Sequence, residues 1–184
     1  MADGLILVDD EDRELGSLDK EACHNGIGVK HRAFSVFLFD ERGRLLLQQR
    51  AREKRLWGGY WSNTCCSHPR VGEDTEDAAT RRLVEELGIR VFGLEHLFGF
   101  SYQAAFGDLG SENEYCHVYF GRYIGEVVPN PDEVSAVIAE DVTELTLRLE
   151  AKPGQFTPWF QEEWRQVLSQ HQSTLTRFTT ISSE

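Results

Sequence analysis

The stretch from Asp74 to Gly88 constrains the fold most, because it combines a helix start signal, a sustained helical period and a stop signal. Asp74 can cap the first turn, Asp77 stands three residues on as a weaker form of the capping-box glutamate, and Gly88 ends the helix after Leu87. Ala79, Leu83 and Leu87 then share one face that needs burial, while Arg81 with Glu85 and Arg82 with Glu86 lie one turn apart on others. Strand-like runs flank this helix. Residues 33–39 and 44–49 precede it, separated by Asp40-Glu41-Arg42-Gly43, which reads as a hairpin. Residues 94–106 and 115–124 follow it, joined through the turn-rich Gly107-Asp108-Leu109-Gly110-Ser111. Two strand pairs around one glutamate-bearing helix predict an α/β (α+β) fold, a mixed β-sheet sandwiched between α-helices. A short strand over 134–139 and helices over 142–149 and 159–168 complete the expected elements. The 184 residues show neither repeat nor linker, so one domain over 1–184 is expected, with the Ser/Thr-rich 173–184 fraying.

Residues 57–69 have glycines, aromatics and short polar side chains without a sustained period, and read as a loop holding a short strand. This loop carries Cys66 and His68, and loops of this kind commonly carry sites. His24 and His31 lie upstream and Glu112 and Glu114 downstream. The last two share a face if they join the following strand, with His117 opposite. Three imidazoles and two carboxylates form a nitrogen/oxygen set suited to divalent zinc, manganese or magnesium. Each histidine could equally be a surface or hydrogen-bonded core residue, the ordinary fate of histidine and the one assigned to His96, His117 and His171.

A formal charge of −12 argues against a general nucleic-acid or anionic-membrane partner. Against that background, 50–55 concentrates Arg50, Arg52, Lys54 and Arg55 within six residues, the mark of a local anion site or of a solvated face. Glu86 gains interest beside such cations, because magnesium is held by few carboxylates plus phosphate oxygens. Cys23, Cys65, Cys66 and Cys116 form no evenly spaced framework, so reduced thiols and a cytoplasmic setting are expected. No long apolar run suggests a signal peptide or a membrane span. Cys66 could be an inert thiol, but beside a metal and cations its pKa is expected to fall. Trp57, Tyr60, Trp61, Tyr102 and Trp159 read individually as core aromatics, although such a face also stabilises a cation.

Taken together, His24 and His31 seven apart, Arg32-Ala33-Phe34-Ser35, Trp61-Ser62-Asn63-Thr64, Cys66-Ser67-His68-Pro69, Glu85-Glu86-Leu87-Gly88, Glu112-Asn113-Glu114-Tyr115 and Pro158-Trp159 resemble the type 1 isopentenyl-diphosphate delta-isomerase family of the Nudix-fold superfamily. Aligned through Glu85 to Ile89, the chain keeps the leading glutamate of the Nudix box as Glu73 and its arginine as Arg81. It has Ser67 where the box opens on glycine and Arg82 where a glutamate follows the arginine. Such a degenerate box disfavours hydrolysis of a diphosphate linkage.

The resemblance implies a metal-dependent 1,3-allylic proton shift interconverting isopentenyl and dimethylallyl diphosphate. It implies Cys66 and Glu114 as the proton-transferring groups on opposite faces of the substrate, with Tyr102 assisting near Glu114. His24, His31, His68, Glu112 and Glu114 would hold a manganese, zinc or magnesium ion, and Glu86 a magnesium shared with the diphosphate. Lys20, Arg50, Lys54 and Arg82 would bind the anionic head, and Trp159 would close over the hydrocarbon. The implied partner is this small diphosphate, handled by a monomer. A Nudix pyrophosphohydrolase of a nucleotide or prenyl diphosphate is the alternative enzyme, tolerant of losing Cys66. A noncatalytic metal-stabilised binding module is the alternative of another class.

Overall fold

The computed structural model describes residues 4–180. The chain opens with strands β1 (Gly4–Val8) and β2 (Glu14–Asp19) and a short helix α1 (Lys20–Cys23). Strands β3 (His31–Phe39), β4 (Leu45–Arg50), β5 (Trp61–Ser62) and β6 (Cys65–Ser67) then lead to helix α2 (Thr75–Leu87). The long strands β7 (Glu95–Ala105) and β8 (Ser111–Arg122) are followed by β9 (Val134–Glu140) and helices α3 (Val142–Ala151), α4 (Pro158–Gln170) and α5 (Gln172–Thr179). The expected mixed sheet with helices on both faces is present.

Strand β3 organises the sheet. It pairs in parallel with β8 from His31↔Glu114 to Phe39↔Arg122, and antiparallel with β6. Its side chains alternate between two cores. Phe34, Val36 and Leu38 pack with Ala78, Ala79, Leu83 and Leu87 of α2. Phe37 and Phe39 pack with Trp159, Phe160, Trp164 and Val167 of α4 and with Leu175 and Phe178 of α5. Because both faces are covered, β3 is a continuous apolar run rather than a polar alternation.

Helix α2 is capped as its sequence requires. Asp74 accepts from the amides of Glu76 and Asp77, and Gly88 takes the left-handed conformation at φ 67°. The arginine and leading glutamate of the box pair in bidentate fashion, with Arg81 Nε on Glu73 Oε1 at 2.7 Å and Nη2 on Oε2 at 2.8 Å.

The structure departs from the sequence expectations in three places. Strand β8 begins at Ser111, not at 115, so Glu112 and Glu114 lie within it. The stretch expected to fray from Ser173 is helix α5 through Thr179, held by burial of Leu175 and Phe178, and its remainder at 181–184 lies outside the described residues. The N-terminal hairpin β1–β2 and helix α1 carry no strong sequence signal, yet they cover one edge of β3 through Leu7↔His31. Among the described residues no helix is long and apolar enough to cross a membrane.

Candidate active site

Register alone brings the central groups together. Glu114 of β8 lies opposite His31 of β3 on one side and opposite Tyr102 of β7 on the other. Paired residues point to the same face, so Glu114, His31 and Tyr102 converge on the α4 side. Ser35 lies two positions of the same parity beyond His31, opposite Cys66 of β6, which places the thiol on that face too. His117 points the other way, as expected, and its Nε2 lies 2.9 Å from Asp12 Oδ2.

The loop bearing Cys66 is held by buried polar side chains. Thr64 Oγ1 donates to the Leu46 carbonyl at 2.6 Å and accepts from the Leu38 amide at 2.8 Å, bridging β3 and β4. Asn63 Nδ2 donates to the carbonyls of Val36 and Cys65. These bonds satisfy backbone groups that a buried loop would otherwise leave unpaired.

Close packing of Gly110 explains how His24 arrives. A Cβ on Gly110 would stand 2.3 Å from the His24 carbonyl oxygen, the same oxygen that accepts from the Ser111 amide at 3.0 Å. The end of α1 thus docks on the start of β8, and His24 Nε2 comes within 2.8 Å of Glu112 Oε2.

Five potential ligands, His24, His31, His68, Glu112 and Glu114, present atoms within 4.8 Å of one another. Their chemistry fits a divalent cation. Nδ1 of His24 lies 2.6 Å from the Lys20 carbonyl and Nδ1 of His31 lies 2.7 Å from the Val29 carbonyl. Each carbonyl accepts a hydrogen bond from Nδ1–H, which leaves the Nε2 lone pair turned toward the cluster. His31 Nε2 faces His68 Nε2 at 3.1 Å, and His68 Nε2 is also 2.8 Å from Glu114 Oε1. Burial holds His68 down to about 3, against the opposing pull of Glu114, so its ring is neutral. Glu112 Oε2 has no aligned hydrogen-bond partner despite full burial of the atom. Lone pairs crowded this way are stabilised by a shared cation.

A cavity of about 420 Å³ opens beside this cluster. Cys66, Tyr102, Glu112, Glu114, His24 and His68 line one part of it. Lys20, Arg50, Lys54, Arg82 and Glu86 line another, and Trp159 contributes an aromatic wall. Every expected site residue is therefore at the cavity except His31, which is fully buried behind it.

Tyr102 donates its hydroxyl to Glu114 Oε2. Burial, reinforced by the Glu114 charge, raises the phenol well above its ordinary range, so it stays a donor. Burial would raise Glu114 as well, but His31 and His68 outweigh it and hold the carboxyl well below its usual range. The expectation of an acidified Cys66 is not met. Burial pushes its thiol up to about 12, although Arg50 opposes this with Nη1 at 3.8 Å from Sγ.

Three of these cations are already engaged. Arg50 lies 5.2 Å from the Trp159 ring centre. Arg82 reaches Glu86 Oε1 at 2.5 Å, Glu85 Oε2 at 2.8 Å and Glu133 Oε1 at 3.1 Å, while Lys54 also pairs with Glu133. Burial lowers the Lys20 ammonium, and Lys54 and Arg82 add to that by repulsion, as expected where cations are gathered for an anion.

Sequence reasoning missed Glu133, Gln48 and Ser62. Glu133 follows a loop-marking Pro-Asn-Pro run, and Gln48 Nε2 donates to Glu86 Oε2 at 3.2 Å from inside an apolar strand. Ser62 Oγ accepts from Trp159 Nε1 at 3.1 Å and thereby fixes the indole. Ser62 stood within the Trp61-Ser62-Asn63-Thr64 run of the resemblance, but with no role of its own.

Residues 29–160 match the family model described as NUDIX domain. The chain is 44% identical to isopentenyl-diphosphate Delta-isomerase 2 of Aromatoleum aromaticum, over 92% of this chain and 88% of that protein. It is 46% identical to isopentenyl-diphosphate Delta-isomerase of Pectobacterium atrosepticum, over 85% of this chain and 87% of the relative. Among solved structures, DR0079 from Deinococcus radiodurans superposes with a TM-score of 0.71 at 22% identity, covering 89% of this chain and 98% of its own, which supports the fold.

Proposed function

Because the chain belongs to the isopentenyl-diphosphate Delta-isomerase family of NUDIX-domain proteins, we propose that it interconverts isopentenyl and dimethylallyl diphosphate by protonation and deprotonation at the two ends of an allylic unit. One observation carries the reading: a thiol and a tyrosine-bound carboxylate line the same cavity, between a cluster of metal-ligand type and a group of cations.

An unactivated alkene is a poor base, so the donor has to be undissociated at neutral pH. The Cys66 thiol, raised by burial, keeps its proton, and Glu114 keeps its charge. Cys66 serves as one proton-transferring group and Glu114 as the other, with Tyr102 orienting the carboxylate. Protonation of the terminal alkene carbon gives a tertiary cation, and loss of a proton from the carbon nearer the diphosphate-bearing end completes the shift. The Trp159 ring faces that cation and excludes water, which would otherwise trap it as an alcohol.

Lys20, Arg50, Lys54 and Arg82 hold the diphosphate. His24, His31, His68, Glu112 and Glu114 would hold one divalent manganese, zinc or magnesium ion, which would lower the proton affinity of Glu114. Glu86 would hold a magnesium that comes with the diphosphate. Both its oxygens already accept, from Arg82 and from Gln48, so a cation there would compete with Arg82 for Glu86. The same ion pairs tell against a pyrophosphohydrolase, since Arg81 and Arg82 engage Glu85 and Arg82 also engages Glu86. The setting is the cytoplasm and the working unit a monomer.

The test is NMR of isopentenyl diphosphate with magnesium in deuterated buffer, using wild type, Cys66→Ala and chelator-treated protein. Deuterated allylic product with wild type, lost in both other samples, supports the reading. Phosphate release with the alkene unchanged overturns it in favour of hydrolysis.

A further inference from the structure

Beneath the cavity lies a carboxyl group that the proposed reaction does not use. Glu163 sits one helical turn after Trp159 on α4, with no exposed surface. Its Oε1 is 3.6 Å from Cys116 Sγ, which also lies 3.5 Å from Ser35 Oγ, so thiol, hydroxyl and carboxyl are gathered in one buried group. Its Oε2 has no partner. Ser35 lies opposite Cys66 in the β3–β6 register, and Cys116 shares a face of β8 with Glu114 two residues away. Glu163 therefore reaches the neighbours of both proton-transferring groups, Cys116 directly and Ser35 through it, without lining the substrate cavity.

The surroundings supply no countercharge. The titratable groups facing this space are Cys66 from β6, Glu114 and Cys116 from β8 and Tyr102 from β7. On α4 itself, Glu162 and Arg165 pair with each other at the surface. The half-buried guanidinium of Arg148 on α3 is engaged by Glu140 and by the Trp61 and Phe156 rings. Among the described residues no cation pairs with Glu163. A buried carboxylate without a cation is costly, so the group holds its proton.

We propose, on the isomerase reading above, that Glu163 is a positioning residue whose uncharged carboxyl keeps the floor beneath Cys66 and Glu114 free of a further negative charge, so that ionising it disables the proton shift. A carboxylate there strengthens the hold of Cys66 on its proton, and an alkene is protonated more slowly by a weaker acid. In agreement with this geometry, burial raises the Glu163 carboxyl to about 8 against the hydrogen bonds of Ser35 and Cys116, with Glu114 adding to the rise.

The experiment compares kcat and KM between pH 7 and pH 9 for metal-loaded wild type, Glu163→Gln and Glu163→Met. Both variants are uncharged at every pH, and the second replaces the group with an apolar side chain should the amide not be accommodated. Wild type is expected to lose about tenfold in kcat between pH 7 and pH 9, with KM little changed. A variant that folds is expected to stay within about twofold over the same range. An alkaline loss that persists in the folded variants overturns the role of Glu163 alone, as does a wild type whose kcat is level to pH 9. A wild type without isomerase turnover at any pH overturns the reaction assignment, and this inference with it.

Discussion

Arg82 Nη2 lies 2.5 Å from Glu86 Oε1, so the arginine standing in the Nudix box where glutamate is usual neutralises a carboxylate one turn away. The pair is largely buried, with the Glu86 side chain 5% exposed. The guanidinium therefore competes with any cation for Glu86. Calorimetry should show weak magnesium binding to wild type alone and tighter binding once inorganic diphosphate draws Arg82 away. Arg82→Gln should bind magnesium without diphosphate about tenfold more tightly than wild type, a difference of about 1.4 kcal/mol. Equal affinities would mean that Arg82 does not guard the carboxylate.

The histidine cluster joins segments far apart in sequence: the end of α1, the start of β3, the residues after β6 and the start of β8. A bound ion should stabilise the native chain by about 2.7 kcal/mol at a hundredfold excess over its Kd. Thermal unfolding with and without chelator measures this. His68→Ala should remove most of the chelator-sensitive part, whereas His171→Ala, outside the cluster, should leave it intact.

Trp159 is held by its bond to Ser62 and by Arg50 on its face. Trp159→Leu keeps an apolar wall without the aromatic face. Losing about 2 kcal/mol of cation stabilisation corresponds to a fall of roughly thirtyfold in kcat. Product analysis should also show more water-trapped tertiary alcohol. Trp159→Phe should recover most of the rate, and a leucine variant with full turnover would remove the indole from the reaction.

Glu163 also leaves a signature in stability. Its folded pKa is raised to about 8, so between the ordinary carboxyl range and pH 8 the native state holds a proton that the unfolded chain has released. Stability therefore falls as pH rises through that window and levels off above it. Urea unfolding of wild type and Glu163→Gln at pH 5 and pH 9 should show the difference between them moving in favour of the variant, by about 4 kcal/mol.

Much of this was legible from local signals. Asp74, Gly88 and the Ala79, Leu83 and Leu87 spacing located α2, and period two put Glu112 and Glu114 on one face. What escaped depended on tertiary contact. Leu5 to Val8 is too short to separate strand from core helix by periodicity, and becomes a strand because β2 and β3 pair with it. The tail becomes helical because Phe178 packs on Phe39 and Phe120 and Leu175 joins the same core. Nothing local in the helix over 159–168 says that the face of Glu163 meets Cys116 and Ser35. The acidified Cys66 was expected from its charged neighbours, but burial prevailed over them.

The pairing of Glu114 with both His31 and Tyr102 also limits how the gene can change length. The β7–β8 turn closes through Phe106 and Gly110, with the Phe106 amide on the Gly110 carbonyl at 2.8 Å. A single-residue insertion there that slipped β8 by one position would turn Glu112 and Glu114 toward His117's side of the sheet and empty the ligand cluster of its carboxylates. Insertions of two residues would restore facing but offset Glu114 from Tyr102. Length variation among descendants of this chain should therefore gather in connections outside this hairpin, such as the one leaving β8 after Arg122.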